Sequence, residues 1–126
     1  MKEPTLFLIN SNEELLCLMG KILSNDYYIL AAINGKEGLD IIRNNKIDVV
    51  ICDEILPDIN VLEFCELLKH DEKTKNIYII VLLFNYNAYE RTIYYKSGAD
   101  SCMPKPFDTS VIRSVINNFA IKNKEL

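Results

Sequence analysis

Hydrophobic and polar positions alternate in blocks along the chain, five times over. Thr5-Leu6-Phe7-Leu8-Ile9 is a continuous apolar run that stops at Asn10-Ser11-Asn12, the pattern of a strand buried on both faces. Ser11-x-x-Glu14 has capping-box spacing, and Leu15, Leu16, Met19, Ile22 and Leu23 then recur at helical intervals. Residues 27–33 form the second run, closed by Asn34-Gly35, and a helix with Leu39 and Ile42 turned inward follows. Val49-Val50-Ile51-Cys52 is the third run, ended by Asp53-Glu54. Leu56-Pro57-Asp58 breaks the chain, and Asn60 with Glu63 three residues later marks another helix start. Leu62, Phe64 or Cys65, and Leu68 supply its apolar stripe. Residues 77–84 give the densest strand pattern, interrupted by Asn85-Tyr86-Asn87, and residues 88–97 read as a helix stopped at Gly98. Residues 99–103 predict a brief strand before Pro104-Lys105-Pro106-Phe107. Asp108 or Ser110 begins a last helix, with Val111, Ile112, Val115, Ile116 and Phe119 as its inner face.

Buried strands separated by single helices require a parallel sheet covered on both sides. The pattern predicts one open, doubly wound α/β domain over residues 1–126, with a core at about 5–120 and residues 121–126 as a tail or the start of a linker. In that architecture the functional crevice lies beyond the carboxyl ends of the strands, where the strand order reverses. Three polar endings meet there: Asn10-Ser11 after the first strand, Asp53 after the third and Lys105 after the fifth.

Composition narrows the function classes. A chain of 126 residues, 49% hydrophobic and 25% charged, is ordinary globular material for one domain. Its net charge of −4 argues against nucleic-acid binding through overall charge. The four cysteines are far apart and form no C-x-x-C pair, and His70 is the single histidine, so neither a disulfide framework nor a zinc site is expected. Cys17, Cys52 and Cys65 sit in apolar stretches, where a free thiol behaves as a small hydrophobe. No apolar run reaches the roughly 18 residues of a membrane span, and the run after Met1-Lys2-Glu3-Pro4 is too short for a signal peptide. A reduced, cytoplasmic protein is expected.

A carboxylate at one strand end facing a lysine from another suits phosphoryl chemistry. The carboxylate can be the nucleophile that forms an aspartyl phosphate, and the ammonium can hold phosphoryl oxygens. Mg²⁺, a hard ion that takes oxygen ligands, is the usual third component. These segments resemble the receiver domain of response regulators in two-component signalling, over essentially the whole chain. The resemblance rests on Val49-Val50-Ile51-Cys52-Asp53-Glu54-Ile55-Leu56-Pro57-Asp58, with proline four residues after the aspartate, and on Gly98-Ala99-Asp100 followed by Lys105-Pro106-Phe107. It implies a flavodoxin-like (βα)5 fold with parallel strand order 2-1-3-4-5. Asp53 would be the phospho-acceptor, Lys105 the phosphoryl contact, and Pro106 would follow a cis peptide bond. The backbone carbonyl of Ile55 would join Asp53, Asn10 and Ser11 at Mg²⁺. A histidine kinase or phosphotransfer protein would be the phosphoryl donor.

The chain departs from the family pattern at several of these places. Asn10 and Ser11 stand where the family has an acidic pair, Leu83 where it has a threonine or serine hydroxyl, Cys102 where it has a switch aromatic, and Val61 where it has glycine. Two unit charges 4 Å apart interact by roughly 4 kcal/mol at an effective dielectric near 20, and a divalent ion doubles this. Mg²⁺ binding is therefore expected to be weak or absent. Loss of the hydroxyl and the aromatic predicts a receiver that keeps its acceptor and lysine but switches poorly.

Other residues have plainer readings. Glu54 and Asp58 read as solvated loop charges, with Glu54 the better placed to replace a lost carboxylate. Glu13 and Glu14 serve the first turn of their helix, and His70 closes its own. Tyr86, Tyr89, Tyr94 and Tyr95 crowd one segment; some pack on the sheet, and the rest offer a partner or self-association patch on the face of the fourth helix, fifth strand and fifth helix. The alternative function is a phosphorylation-independent pseudo-receiver, an interaction or dimerisation module. An enzyme of this fold is not expected, because the chain has no Gly-rich phosphate loop and no nucleophile elbow.

Overall fold

A computed structural model describes the backbone of residues 4–125 and the side chains of residues 4–120. Five strands and five helices alternate: β1 (Thr5–Ile9), α1 (Glu13–Leu23), β2 (Tyr28–Ala32), α2 (Gly35–Asn44), β3 (Val49–Asp53), α3 (Val61–Lys69), β4 (Tyr78–Leu83), α4 (Ala88–Ser97), β5 (Ser101–Pro104) and α5 (Thr109–Glu125). All strand pairs are parallel, in the order β2-β1-β3-β4-β5. The chain reverses direction across the sheet after β2, so the ends of β1 and β3 flank the switch point.

The period of two along each strand sorts the core into two layers. Phe7, Ile9, Val50, Cys52, Ile79, Val81 and Leu83 face α2, α3 and α4, where Ile42, Phe64, Cys65 and Leu68 close over them. Leu6, Leu8, Val49, Ile51, Ile80 and Leu82 face α1 and α5, under Met19, Leu23, Ile112 and Ile116. Each fully buried Leu, Ile or Phe contributes about 1.5–3 kcal/mol relative to exposure, and this sets which helix face turns inward.

Local chemistry moves several boundaries. Asn12, not Ser11, caps α1: its side chain accepts the Leu15 N–H at 3.1 Å, while Ser11 is exposed. The cap falls one residue after the capping-box spacing because Asn10 Oδ1 accepts the Asn12 N–H at 2.8 Å and shapes the turn. β5 begins at Ser101 rather than residue 99, since the Asp100 side chain accepts both the Ile79 N–H and the Lys69 ammonium, each at 2.8 Å. Val111 is exposed rather than inward: each helical residue turns about 100°, and Ile112 and Ile116 take the sheet-facing side. Cys17 is also exposed, on the outer side of α1. α5 reaches Glu125, so the expected tail is helical to that residue, and Leu126 lies outside the described residues. Gly98, at φ +115°, ends α4 in the left-handed region that only glycine enters at little cost.

Candidate functional site

The ends of β1, β3 and β5 place the expected site residues at one edge of the sheet. Asp53 is the last residue of β3 and points to the α1/α5 side, its side chain only 12% exposed. Lys105 follows β5, fixed by its own N–H donating to the Leu83 carbonyl at 2.9 Å. Its Nζ lies 2.5 Å from Asp53 Oδ1. The other carboxylate oxygen of Asp53 accepts the Ile55 N–H at 3.3 Å. The Lys105-Pro106 peptide bond is cis, as the resemblance implied.

Asn10 is buried, and with Asp53, Lys105 and Leu82 it lines a cleft of about 460 Å³ whose mouth is apolar: Leu15, Leu18, Phe84, Pro106 and Phe107. An ammonium and a carboxylate inside an apolar rim interact more strongly than they do in open water. The Asn10 amide oxygen is engaged by Asn12, whereas Ser11 and the Ile55 side chain are exposed. The oxygens that Asn10, Ser11, Asp53 and the Ile55 carbonyl offer are the class that Mg²⁺ takes, but only Asp53 brings charge. Among the described residues, no group of three or more His, Cys, Asp or Glu side chains is placed to hold a metal ion.

Glu54 is not a solvated loop charge. Strand parity turns it to the opposite side from Asp53, toward the end of β4, and its side chain is 16% exposed. Its Oε1 accepts the Phe84 N–H at 2.8 Å and lies 3.5 Å from Lys105 Nζ. One ammonium thus serves two carboxylates. Strand alternation sends successive residues to opposite faces, so the sequence signals the side Glu54 takes but not its partner at the end of β4.

Asp58 likewise has a structural task. Its carboxylate accepts the Gly35 N–H at 2.7 Å and the Lys36 N–H at 2.8 Å, at the positive end of α2. Those two backbone donors hold its carboxyl below the ordinary value of 3.8. A Cβ on Gly35 would lie 2.2 Å from Ile59 Cγ2, so glycine lets this loop approach α2.

The remaining candidates lie in the core or away from the cleft. Leu83 and Cys102 are buried in the layer under α2, α3 and α4. Val61 is buried at the start of α3. Burial pushes the Cys65 thiol up to about 12 and the Cys102 thiol up to about 11, so both stay protonated at neutral pH. His70 closes α3, exposed, with its ring Nδ1 2.8 Å from the Glu66 carbonyl oxygen. Tyr94 packs against the core, whereas Tyr86, Tyr89 and Tyr95 are exposed, with the Arg91 guanidinium 4.7 Å from the centre of the Tyr86 ring.

The family model for the response regulator receiver domain matches residues 6–117. The chain belongs to the receiver-domain family. As a receiver it is 30% identical over 117 residues to "Histidine kinase P4" of Formosa agariphila, a match that covers 93% of this chain and 8% of that protein. It spans between 8% and 28% of the length of that relative and of two other curated ones. A receiver domain protein from Clostridium thermocellum superimposes with a TM-score of 0.85 at 25% identity, covering 97% of this chain and 98% of that one. The receiver domain of Saccharomyces cerevisiae Ssk1, solved with the histidine phosphotransfer protein Ypd1, superimposes with a TM-score of 0.86 at 16% identity, covering 94% of this chain and 89% of that one, and shares the fold. The receiver of two-component signalling expected from Asp53 and Lys105 is thus established as a family. No helix among its described residues is long and apolar enough to cross a membrane.

Proposed function

We propose that this receiver accepts a phosphoryl group on Asp53 from a histidine kinase or histidine phosphotransfer protein. The observation that supports the reading is the contact of Asp53 Oδ1 with Lys105 Nζ in an apolar-rimmed cleft. A carboxylate oxygen of Asp53 attacks phosphorus, the P–N bond of the donor phosphohistidine breaks, and its electron pair stays on the imidazole nitrogen. Lys105 remains an ammonium throughout and follows the charge from the carboxylate to the phosphoryl oxygens. The Ile55 N–H, which now donates to Asp53, is a second donor on the same side. Asp53, Asn10, Ser11 and the Ile55 carbonyl would be the residues to hold Mg²⁺, weakly, and the ion would supply neutralisation of phosphoryl charge. The chain is on this reading a cytoplasmic phosphoryl acceptor and not an enzyme acting on a small-molecule substrate.

Its switching is reduced. Leu83 has no hydroxyl to bond a phosphoryl oxygen, and Cys102 has no ring to move, and both lie in the packed core. That observation favours a second reading, in which the α4–β5–α5 face, with exposed Tyr89 and Tyr95, binds a protein partner or a second copy whatever the state of Asp53. The test is incubation with acetyl phosphate and millimolar Mg²⁺, read by intact mass. One added phosphoryl group, lost in Asp53→Asn, is expected. No gain at any Mg²⁺ concentration would leave the phosphorylation-independent module.

A further inference from the structure

The site holds an anion of its own. Lys105 Nζ and the Phe84 N–H converge on one oxygen, Glu54 Oε1, at 3.5 and 2.8 Å. The same ammonium contacts the carboxylate of Asp53. A phosphoryl group on Asp53 carries three outer oxygens that need donors; the Ile55 N–H already meets the carboxylate, while Lys105 is shared with Glu54 and the N–H of Phe84, which lines the same cleft, is taken by Glu54. Leu83 offers no side-chain donor to replace them.

We propose that Glu54 is an internal anion that fills the oxygen-binding position formed by the Phe84 N–H and Lys105, and that phosphorylation of Asp53 must displace it. This rests on the reading of Asp53 as acceptor and deepens it. Two consequences follow from charge and geometry. Two carboxylates on one ammonium leave the occupied site with a net negative charge, which opposes the approach of an anionic phosphodonor. The Glu54 contact also ties the end of β3 to the junction between β4 and α4, so its release frees the backbone of Phe84, whose side chain is 76% exposed. Glu54 is a positioning residue: it acts through donors, not on phosphorus. Displacement of its carboxylate gives this chain a route from Asp53 to α4 that uses neither Leu83 nor Cys102.

Three proteins test it: wild type, Glu54→Ala and Glu54→Gln, each shown to be folded by circular dichroism. Glu54→Ala vacates both donors, and its initial rate of phosphoryl uptake from acetyl phosphate is expected to exceed wild type by about tenfold or more, the scale of a charge-assisted hydrogen bond. Glu54→Gln keeps an acceptor for the Phe84 N–H but loses the charge, and should fall between the two. A wild-type rate or a slower one in folded Glu54→Ala would overturn the proposal. An amide NMR titration with inorganic phosphate needs no phosphorylation. The Phe84 resonance should stay in place in wild type and move with phosphate in Glu54→Ala. If none of the three gains a phosphoryl group, the acceptor reading fails. The titration then still decides: a Phe84 resonance that ignores phosphate in Glu54→Ala overturns the internal anion, and one that responds upholds it.

Discussion

Asp53 at the end of β3 and Lys105 just after β5, on opposite sides of β4, meet at 2.5 Å in a cleft rimmed by apolar side chains. The pair is unequal, because Glu54 draws on the same ammonium. Lys105→Ala would leave two neighbouring carboxylates without a cation and is expected to lower stability by about 1–3 kcal/mol. Asp53→Asn removes one of the two negative charges and should change stability by less than about 1 kcal/mol. Urea unfolding of both variants measures this asymmetry. Equal losses would mean that Glu54 has no share in the ion pair.

A second prediction concerns the metal. Asn10→Asp with Ser11→Asp adds two carboxylates beside Asp53, and Mg²⁺ affinity by calorimetry should rise tenfold or more, given about 4 kcal/mol per unit-charge pair at 4 Å and an effective dielectric near 20. An unchanged affinity would mean that the end of β1 does not face the metal position.

Leu83 carries a third. It is fully buried against the layer under α2, α3 and α4, so Leu83→Thr removes apolar volume and buries a hydroxyl. The expected cost is about 2–4 kcal/mol in urea unfolding. A neutral result would place this side chain in the cleft rather than in the core.

The fourth follows from the cap on α2. The Gly35 and Lys36 N–H groups hold the Asp58 carboxyl below its ordinary value. The folded-state value is thus the lower one, and the contribution is full above the ordinary value of 3.8 and is lost as pH falls through the folded value. The melting-temperature gap between wild type and Asp58→Ala should be constant from about pH 7 to about pH 5 and close as pH is lowered toward about 2. A gap that persists in acid would assign the effect to the loop backbone instead of the charge.

The sheet was legible because each strand is a short apolar run with a polar end, and strands buried on both faces leave few alternatives to a parallel α/β sheet. Asp53 and Lys105 were legible for the same reason: strand ends converge whatever the intervening helices do. Contacts made between loops were not. Glu54 reads as a surface charge until the end of β4 is placed beside it, and Asp58 until the loop before α3 is laid across the start of α2. Ser11 and Asn12 are both good caps by type, and only the hydrogen bond from Asn12 N–H to Asn10 decides between them. Val111 and Ile112 are both apolar, and the phase of α5 against the sheet selects Ile112.

Whether the carboxylate beside Lys105 is the atom that takes phosphorus can be read directly. An acyl phosphate is reduced by borohydride to the alcohol, whereas a free carboxylate is not. After acetyl phosphate and Mg²⁺, reduction and proteolysis, tandem mass spectrometry should find homoserine at position 53 and aspartate at position 58. Homoserine at another aspartate, or aspartate unchanged at 53 after prolonged incubation, would contradict the assignment.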